Sequence, residues 1–334
     1  MHFLCYNVYM KTSEQITQII EKNGSVTAKE LYSSLTINKR AVFKQLASLI
    51  DKEIITKTGK PPKVFYSLSN KRKNIQSIQD TVDDKTKSFI EKSFEYITPR
   101  GEKLTGWLGF ITWSKERDMD INKTSERYIK TIKKYDRYKK DGLIDGTYKL
   151  KASFDEVGLD KMFYLDFYSI EIFGKTKLGQ LLLYAKQSQN RQMINEVADI
   201  AKPQVEKIIQ KYKVDGVGFI PPTVKRELQF MNQFRERLSL NLKEVDLVKL
   251  KTQVTIAQKT LTKIEDRIIN AKETIEVNTQ GAFTNILLID DAVGSGATLN
   301  EIAKKIRQKN LCKGIIIGLA VTGSFKGFEV ISEI

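Results

Sequence analysis

The chain has 334 residues, of which 41% are hydrophobic and 29% charged, and its net charge of +16 favours polyanionic partners such as nucleic acid or phosphorylated small molecules. It contains no run approaching the roughly 18 apolar residues that a membrane helix requires, so we expect a cytoplasmic protein without a membrane partner. The two cysteines lie far apart, so neither a disulfide framework nor a zinc site is indicated. The only histidine is His2, which excludes catalysis by a Ser-His or Cys-His pair.

The first segment with a clear pattern covers residues 12–69, while residues 1–11 are either an extension or a stretch upstream of a start at Met10. Three apolar helical patterns follow residues that make good helix N-caps, namely Ser13, Thr27 and Asn38. Two β-prone segments come next, 54–58 and 64–68, separated by a turn with two prolines. Three helices followed by a hairpin resemble a winged helix-turn-helix.

Basic residues are concentrated in this segment, as a surface that contacts DNA requires. Residues 11–73 contain 13 Lys and Arg against 5 Asp and Glu, a net charge of +8. A winged helix presents its third helix to the major groove and its wing to the backbone or minor groove. The side chains expected to contact duplex DNA are therefore Lys39, Arg40, Lys44, Lys57, Lys60 and Lys63. The alternative is that the segment contacts another protein.

A helical connector is predicted over residues 70–98. Apolar residues recur there with near-heptad spacing, which fits either the seam of a homodimer or packing against the chain's own domain. Residues 99–164 have no clear role. A basic, tyrosine-containing helix near residues 128–140 could contact nucleic acid or form a solvated face.

From residue 165 to residue 334, predicted helices and strands alternate. The predicted elements are helices over 178–186 and 191–212, with a break near Pro203, a strand over 214–220, a strand over 285–289, a helix over 298–308 and a strand over 315–321. Such alternation predicts an α/β fold, a doubly wound and mainly parallel sheet with ligands at the carboxyl ends of its strands. The small winged-helix domain would precede this sheet.

The segment from Ile286 to Leu299 reads ILLIDDAVGSGATL. Its strand delivers two adjacent carboxylates, Asp290 and Asp291, which can accept hydrogen bonds from the cis-diol of a ribose. A loop of small residues and a helix N-terminus follow, and both suit a dianionic phosphate. The residues expected to bind that phosphate are Val293, Gly294, Ser295, Gly296, Ala297 and Thr298. The other interpretation is a strand-turn-helix whose glycines merely turn the chain.

This segment resembles the motif that binds phosphoribosyl pyrophosphate (PRPP) in type I phosphoribosyltransferases. Upstream, the resemblance narrows to the ComF family of competence-associated phosphoribosyltransferase-like proteins and covers roughly residues 165–334. It rests on Pro221-Pro222, Arg226, Asn232-Gln233, Gln258, Leu261, Arg267 and Asn270. The family's N-terminal cysteine cluster and the glycine before its Asn-Gln pair are absent, so metal binding through cysteines is not implied.

The resemblance also implies roles for residues outside the motif. It places Pro221, Pro222 and Thr223 against pyrophosphate, and it implies that Mg²⁺ arrives with PRPP, chelated by ligand oxygens more than by protein side chains. Asp290 and Asp291 would be the catalytic acids of an active enzyme. Basic residues recur every four positions at Lys259, Lys263 and Arg267. They either face the pyrophosphate or form the solvated side of a helix that packs inward through Ile264, Ile268 and Ala271.

Two functions fit these patterns. The first is a ComF-like DNA-processing or regulatory factor whose pocket senses PRPP or a nucleoside monophosphate, similar to the bacterial purine-operon repressor in pairing a winged helix with this fold. The second is an active phosphoribosyltransferase that moves phosphoribose between PRPP and a nitrogenous base. We favour the first because no hood that reads a base is recognisable and a salvage enzyme has no use for a winged helix.

Overall fold

The computed structural model describes residues 11–35, 37–52, 54–69, 82–224, 226–253, 256, 261 and 263–324. The chain divides into two compact units, Met1–Thr81 and Val82–Ile334. Among the described residues, every helix is too short or too polar to cross a membrane.

The described part of the first unit packs three helices around a small antiparallel sheet. Its elements are α1 (Thr12–Asn23), β1 (Ser25–Val26), α2 (Ala28–Ser34), α3 (Lys39–Asp51), β2 (Ile55–Lys60) and β3 (Lys63–Leu68), with sheet order β1-β3-β2. The three helices each bury one apolar face in a single core within this unit. Its fully buried members include Ile16, Ile20, Leu31 and Val42. The helical apolar spacing therefore sets which face of each helix is buried.

Two of the three predicted N-caps are confirmed. The Thr27 hydroxyl accepts a hydrogen bond from the Glu30 amide, and the Asn38 side chain accepts one from the Ala41 amide. The prediction for Ser13 is wrong, because α1 begins earlier. Lys11 occupies the N-cap position, and its amide donates to the Glu14 carboxylate at 3.1 Å.

The connector is helical over a shorter range than predicted. In its described part, helix α4 (Asp84–Ser93) ends before strand β4 (Glu95–Ile97), which pairs with β5 (Lys103–Thr105). Ile90 and Phe94 are buried in the core of the second unit, so these apolar positions pack against their own domain. Residues 70–81 lie outside the described residues, and the dimer seam stays a prediction.

Residues 99–164, which had no predicted role, build part of the second unit. They contain α5 (Gly106–Lys115), α6 (Ile121–Asp136), β6 (Lys139–Lys140), β7 (Leu143–Asp145) and α7 (Thr147–Ser153). Aromatic rings join these helices to the rest of the unit. Phe94 meets Tyr128 edge-on at 5.3 Å between ring centroids, and Tyr128 meets Phe173 at 5.0 Å. Such aromatic pairs add to the stabilisation that burial provides.

A mostly parallel sheet of seven strands forms the centre of the second unit. The strand order is β12-β11-β15-β16-β8-β7-β6, where β8 is Lys161–Phe167, β11 is Gly216–Phe219, β12 is Lys243–Glu244, β15 is Ile286–Val293 and β16 is Ile316–Gly323. The first five strands are parallel, and β7 and β6 continue the sheet antiparallel. The expected domain boundary at residue 165 falls inside β8, so the sheet begins earlier in the chain than predicted.

Helices cover both faces of this sheet. One face carries α8 (Lys177–Ser188), α9 (Arg191–Tyr212) and α10 (Phe230–Leu238), while the other includes α11 (Ile264–Thr274) and α12 (Ala297–Gln308). Side chains of β15 alternate between the two cores, with Leu287 and Ile289 on the α8 face and Ile286 and Leu288 on the α12 face. The unit is thus a mixed α/β fold with two cores.

The predicted break near Pro203 is wrong. Helix α9 continues through this proline from Arg191 to Tyr212. Val197, Ala201 and Val205 are buried on both sides of it, and this packing holds the helix together where the proline removes one backbone hydrogen bond.

Small antiparallel pairs complete the second unit. Strand β9 (Ser169–Ile170) pairs with β10 (Gly174–Lys175), and β13 (Leu247–Lys249) pairs with β14 (Ile275–Val277). A short 3₁₀ turn, Glu171–Phe173, joins the first pair. The first pair lies between β8 and α8 in the chain, and the Thr176 hydroxyl caps α8 by accepting a hydrogen bond from the Gly179 amide.

Candidate ligand site at the carboxyl ends of the parallel strands

The winding of the parallel sheet reverses between β11 and β15. From β11 the chain moves outward to β12, then returns past β11 to β15 and continues to β16 on the other side. Connections that leave two adjacent strands in opposite directions open a crevice at the strands' carboxyl ends, and open α/β sheets bind their ligands there. Pro221 and Pro222 follow β11 at this edge, while Asp290 and Asp291 lie near the end of β15.

A cleft of about 320 Å³ occupies this crevice. The structure brings together around it nearly all the ligand-binding residues predicted for the second unit: Pro221, Pro222, Thr223, Arg267, Asp290, Asp291, Val293, Gly294, Ser295, Gly296, Ala297 and Thr298. Lys259 lies outside the described residues. A cleft of this volume is within the range of small-molecule sites.

The two acids differ in their polar partners. Asp291 Oδ2 lies 2.7 Å from Lys186 Nζ on α8. The Asp290 carboxylate accepts a hydrogen bond from the Asp291 amide at 2.7 Å. Burial, together with the adjacent charge of Asp291, raises the pKa of Asp290 to about 7. The site therefore combines an ion-paired carboxylate, Asp291, with a carboxylate of raised pKa, Asp290.

This raised pKa predicts a pH-dependent stability. The folded pKa of Asp290 exceeds its ordinary value of 3.8, so the native state binds the proton more tightly than the unfolded chain does. The contribution of this carboxyl to the free energy of unfolding therefore falls as pH rises from about 4 to 7. We expect Asp290→Asn to raise Tm relative to wild type more at pH 8 than at pH 5. Thermal melts that give the same difference at both pH values would contradict a raised pKa of Asp290.

The loop of small residues ends in a conformation that suits glycine. Gly296 has a φ of +80° and stands at the N-cap of α12. Ser295 is buried, and its hydroxyl accepts a hydrogen bond from the Ala297 amide at 3.3 Å, which leaves the hydroxyl proton available to a ligand. The N-terminus of α12 faces the cleft through Ala297 and Thr298. Helix N-termini of this kind carry unpaired amides and favour anions.

Two arginines are among the residues that line the cleft. Arg226 Nη1 donates to the carbonyl oxygen of Lys186. Arg267 is 6% exposed, its Nε donates to the Leu261 carbonyl at 2.8 Å, and burial lowers its pKa. Both guanidinium groups lie on residues that line the cleft.

The structure places two of the three residues of the basic repeat, and Lys259 lies outside the described residues. Ile264 and Ile268 of α11 pack against the core, and Ala271 is buried. Arg267 lines the cleft, whereas Lys263 is exposed at the start of α11. Among the described residues the repeat therefore does not form one continuous cationic stripe.

Several residues of the cleft were not predicted from the sequence. Lys186, Leu182 and Leu183 come from α8, and Tyr168 follows β8. Helix α8 lies about a hundred residues before the acid pair in the chain, and no local pattern marks it as part of a ligand site. The signal is the packing of α8 on the sheet, which sequence periodicity alone does not reveal.

The candidate DNA-binding side chains of the first unit are all exposed. Lys39, Arg40 and Lys44 lie on α3, whose opposite face buries Val42 and Leu46. The hairpin of β2 and β3 carries the other three, Lys57, Lys60 and Lys63, and pairs Lys60 with Lys63 across its turn. None of the six forms an ion pair with another described residue. They are therefore open to a polyanionic partner.

Within the described residues, no group of three or more His, Cys, Asp or Glu side chains could hold a metal ion. Asp290 and Asp291 supply only two neighbouring carboxylates. This donor set fits a Mg²⁺ ion whose remaining ligands come from phosphate oxygens and water, as Mg²⁺ usually binds in phosphate sites.

A search of protein-family models and a search of curated proteins each find no match to this chain. The likeness to the PRPP motif therefore rests on the residues themselves. The structure adds one observation, that these residues line a single cleft.

Proposed function

We propose that the second unit has the type I phosphoribosyltransferase fold and binds PRPP or a nucleoside monophosphate in the cleft. The first unit is, in this proposal, a winged helix that binds duplex DNA, so the chain is a ComF-like DNA-processing or regulatory factor. One observation carries the proposal. The acid pair, the glycine loop before α12 and the Pro221-Pro222 segment line a single cleft where the sheet reverses its winding.

The parts of the cleft suit the parts of the ligand. Asp290 and Asp291 would accept hydrogen bonds from the ribose 2′- and 3′-hydroxyls, which are charge-assisted when the carboxylates are ionised. The loop from Val293 to Thr298 and the N-terminus of α12 would hold the 5-phosphate. Pro221, Pro222 and Thr223, which follow β11, would border the pyrophosphate. Mg²⁺ would enter with the ligand and offset the charge of the pyrophosphate near the two acids.

Calorimetry on the full chain tests this site. PRPP, GMP and AMP are titrated with and without Mg²⁺, and we expect saturable binding of PRPP or of one nucleotide. Magnesium should strengthen PRPP binding, because it offsets charge beside the acid pair. Absence of binding by all three ligands would refute the ribose 5-phosphate site.

A regulatory role also requires that ligand and DNA affect each other. A ligand shifts a protein between two states only as far as its affinity for those states differs, and the coupling is reciprocal. In this proposal PRPP changes the DNA affinity of the full chain, and Asp290→Asn removes the response. DNA binding that ignores PRPP would leave two independent modules.

Removing the lysines at the hairpin turn should weaken DNA binding at every sequence. We expect Lys60→Gln with Lys63→Gln to lower affinity and to reduce the slope of log K against log salt by about 2, roughly 1 for each DNA phosphate that is no longer neutralised. The measurement is fluorescence anisotropy of labelled duplexes over a salt series. Lys22→Gln, an exposed lysine on α1, is the matched control and should change neither quantity. An unchanged salt slope in the double variant would show that the hairpin does not contact phosphate.

An active phosphoribosyltransferase is the second candidate. The observation that favours it is that apolar side chains also line the cleft, among them Tyr168, Leu182, Phe230 and Met231, and such side chains suit the ring of a nitrogenous base. In this case the two acids would stabilise the positive charge that develops at the anomeric carbon as pyrophosphate leaves. Pyrophosphate release from PRPP in the presence of a base, without DNA binding at low salt, would favour the enzyme over the regulator.

A further inference from the structure

Lys186 contacts two other residues that line the cleft. Its Nζ lies 2.7 Å from Asp291 Oδ2, and its carbonyl oxygen accepts a hydrogen bond from Arg226. Arg226 follows shortly after the segment Pro221–Thr223 in the chain. Lys186, the acid pair, Arg226 and the segment Pro221–Thr223 all line the same cleft.

The charges around Lys186 point to an anionic ligand group. The described cations that line the cleft are Lys186, Arg226 and Arg267, and each arginine already donates to a backbone carbonyl. An ammonium group has three donors, and the contact with Asp291 uses one. The Lys186 side chain is 34% exposed, so its remaining donors are accessible from the cleft. A second anion beside Asp291 would share this ammonium without breaking the ion pair.

We infer that Lys186 recognises the pyrophosphate group of PRPP and thereby gives the cleft a preference for PRPP over ligands that carry only the 5-phosphate. This inference rests on the proposed function and names its ligand. Lys186 holds Asp291 toward the ribose hydroxyls with one N–H and donates to pyrophosphate oxygens with the others. Ribose 5-phosphate and nucleoside monophosphates carry no pyrophosphate. Lys186 therefore helps to bind them only by holding Asp291.

The inference predicts a difference between two ligands. In calorimetry with Mg²⁺, Lys186→Met should weaken PRPP binding by roughly 10- to 100-fold, the loss expected for a hydrogen bond between charged groups. Ribose 5-phosphate binding should weaken by less than about threefold, since it loses only the support of Asp291. A purely structural role of Lys186 would weaken both ligands equally.

Two further variants serve as controls. Lys186→Arg keeps the positive charge, and it should retain most of the preference for PRPP. Lys207→Met removes an exposed lysine on the neighbouring helix α9 and should change neither affinity. If Lys186→Met does not fold, Lys186→Gln takes its place with the same expected split.

The outcomes separate this inference from the proposed function. Wild-type protein that binds neither PRPP nor ribose 5-phosphate refutes the proposed function itself. Wild-type binding of both ligands, combined with equal losses or no loss in Lys186→Met, overturns the role of Lys186 and leaves the site assignment standing. A loss confined to PRPP supports the inference.

Discussion

Replacing Asp290 and Asp291 together with asparagine is expected to abolish measurable PRPP binding while the protein stays folded. Each charge-assisted hydrogen bond to a ribose hydroxyl contributes roughly 1.5–3 kcal/mol, so loss of both should weaken binding by at least about a hundredfold. The fold should survive because both side chains lie at the cleft and neither belongs to the apolar core. Calorimetry with PRPP and Mg²⁺ measures the loss, and thermal melts establish that the variant is folded.

The matched control is Asp199→Asn. Asp199 lies on α9 and pairs with Arg237 at 2.8 Å on the surface, away from the residues that line the cleft. Its replacement should leave PRPP affinity unchanged, because Asp199 does not line the cleft. The fold should also be unaffected, since an exposed ion pair contributes little to stability. Wild-type affinity in a folded variant that lacks both cleft acids would show that they do not hold the ligand.

The second large effect is expected at the glycine before α12. Gly296→Val should remove most PRPP binding, because a β-branched residue at a φ of +80° is strained by about 1–3 kcal/mol and its side chain blocks the approach of phosphate to the loop amides. Leu299→Ala should act differently. Leu299 is almost fully buried, so its truncation should cost about 2–5 kcal/mol of stability with little change in affinity. Calorimetry and thermal melts on both variants measure these effects.

Gly281 provides the control for backbone strain. It also has a positive φ, +95°, lies in an exposed loop before β15, and has open space where a Cβ would be added. Gly281→Val therefore introduces comparable strain without blocking the cleft, and it should keep its PRPP affinity. If Gly281→Val and Gly296→Val lost affinity equally, or if Leu299→Ala lost more than Gly296→Val, the loop would not be a phosphate site.

Three of the five parallel strands could be predicted because their signals are local. Apolar runs bounded by turn residues marked β11, β15 and β16, and alternation with helices indicated parallel pairing. The acid pair was correctly placed near the end of β15, although that strand continues to Val293 and therefore includes both acids. These features depend on neighbouring residues, which is why the sequence reveals them.

The parts that could not be predicted depend on contacts between distant segments. Strand β7 pairs with β8 and extends the sheet from residues that had no assigned role. Lys186 enters the cleft and meets Asp291 only because α8 packs on the sheet. A hydrophobic pattern shows that α8 buries one side, but it does not show which strand lies beneath it or which carboxylate its lysine will meet.

In the first unit, the exposure of the basic side chains followed from helical periodicity, because Val42 and Leu46 fix the buried face of α3. The partner of that exposed face does not follow from periodicity. Positive charge on a helix and a hairpin suits DNA phosphates, and the salt dependence of binding is the property that identifies such a partner.

Phosphorus NMR of PRPP tests the central claim most directly, because the 5-phosphate and the two pyrophosphate phosphorus atoms are chemically distinct and can be followed separately. On addition of the full chain with Mg²⁺, we predict that the 5-phosphate resonance shifts or broadens with wild type and stays unperturbed with Gly296→Val. Lys186→Met should instead leave the 5-phosphate response and reduce that of the pyrophosphate. Resonances that do not change with wild-type protein, or a 5-phosphate response that persists in Gly296→Val, would contradict a ribose 5-phosphate site at this cleft.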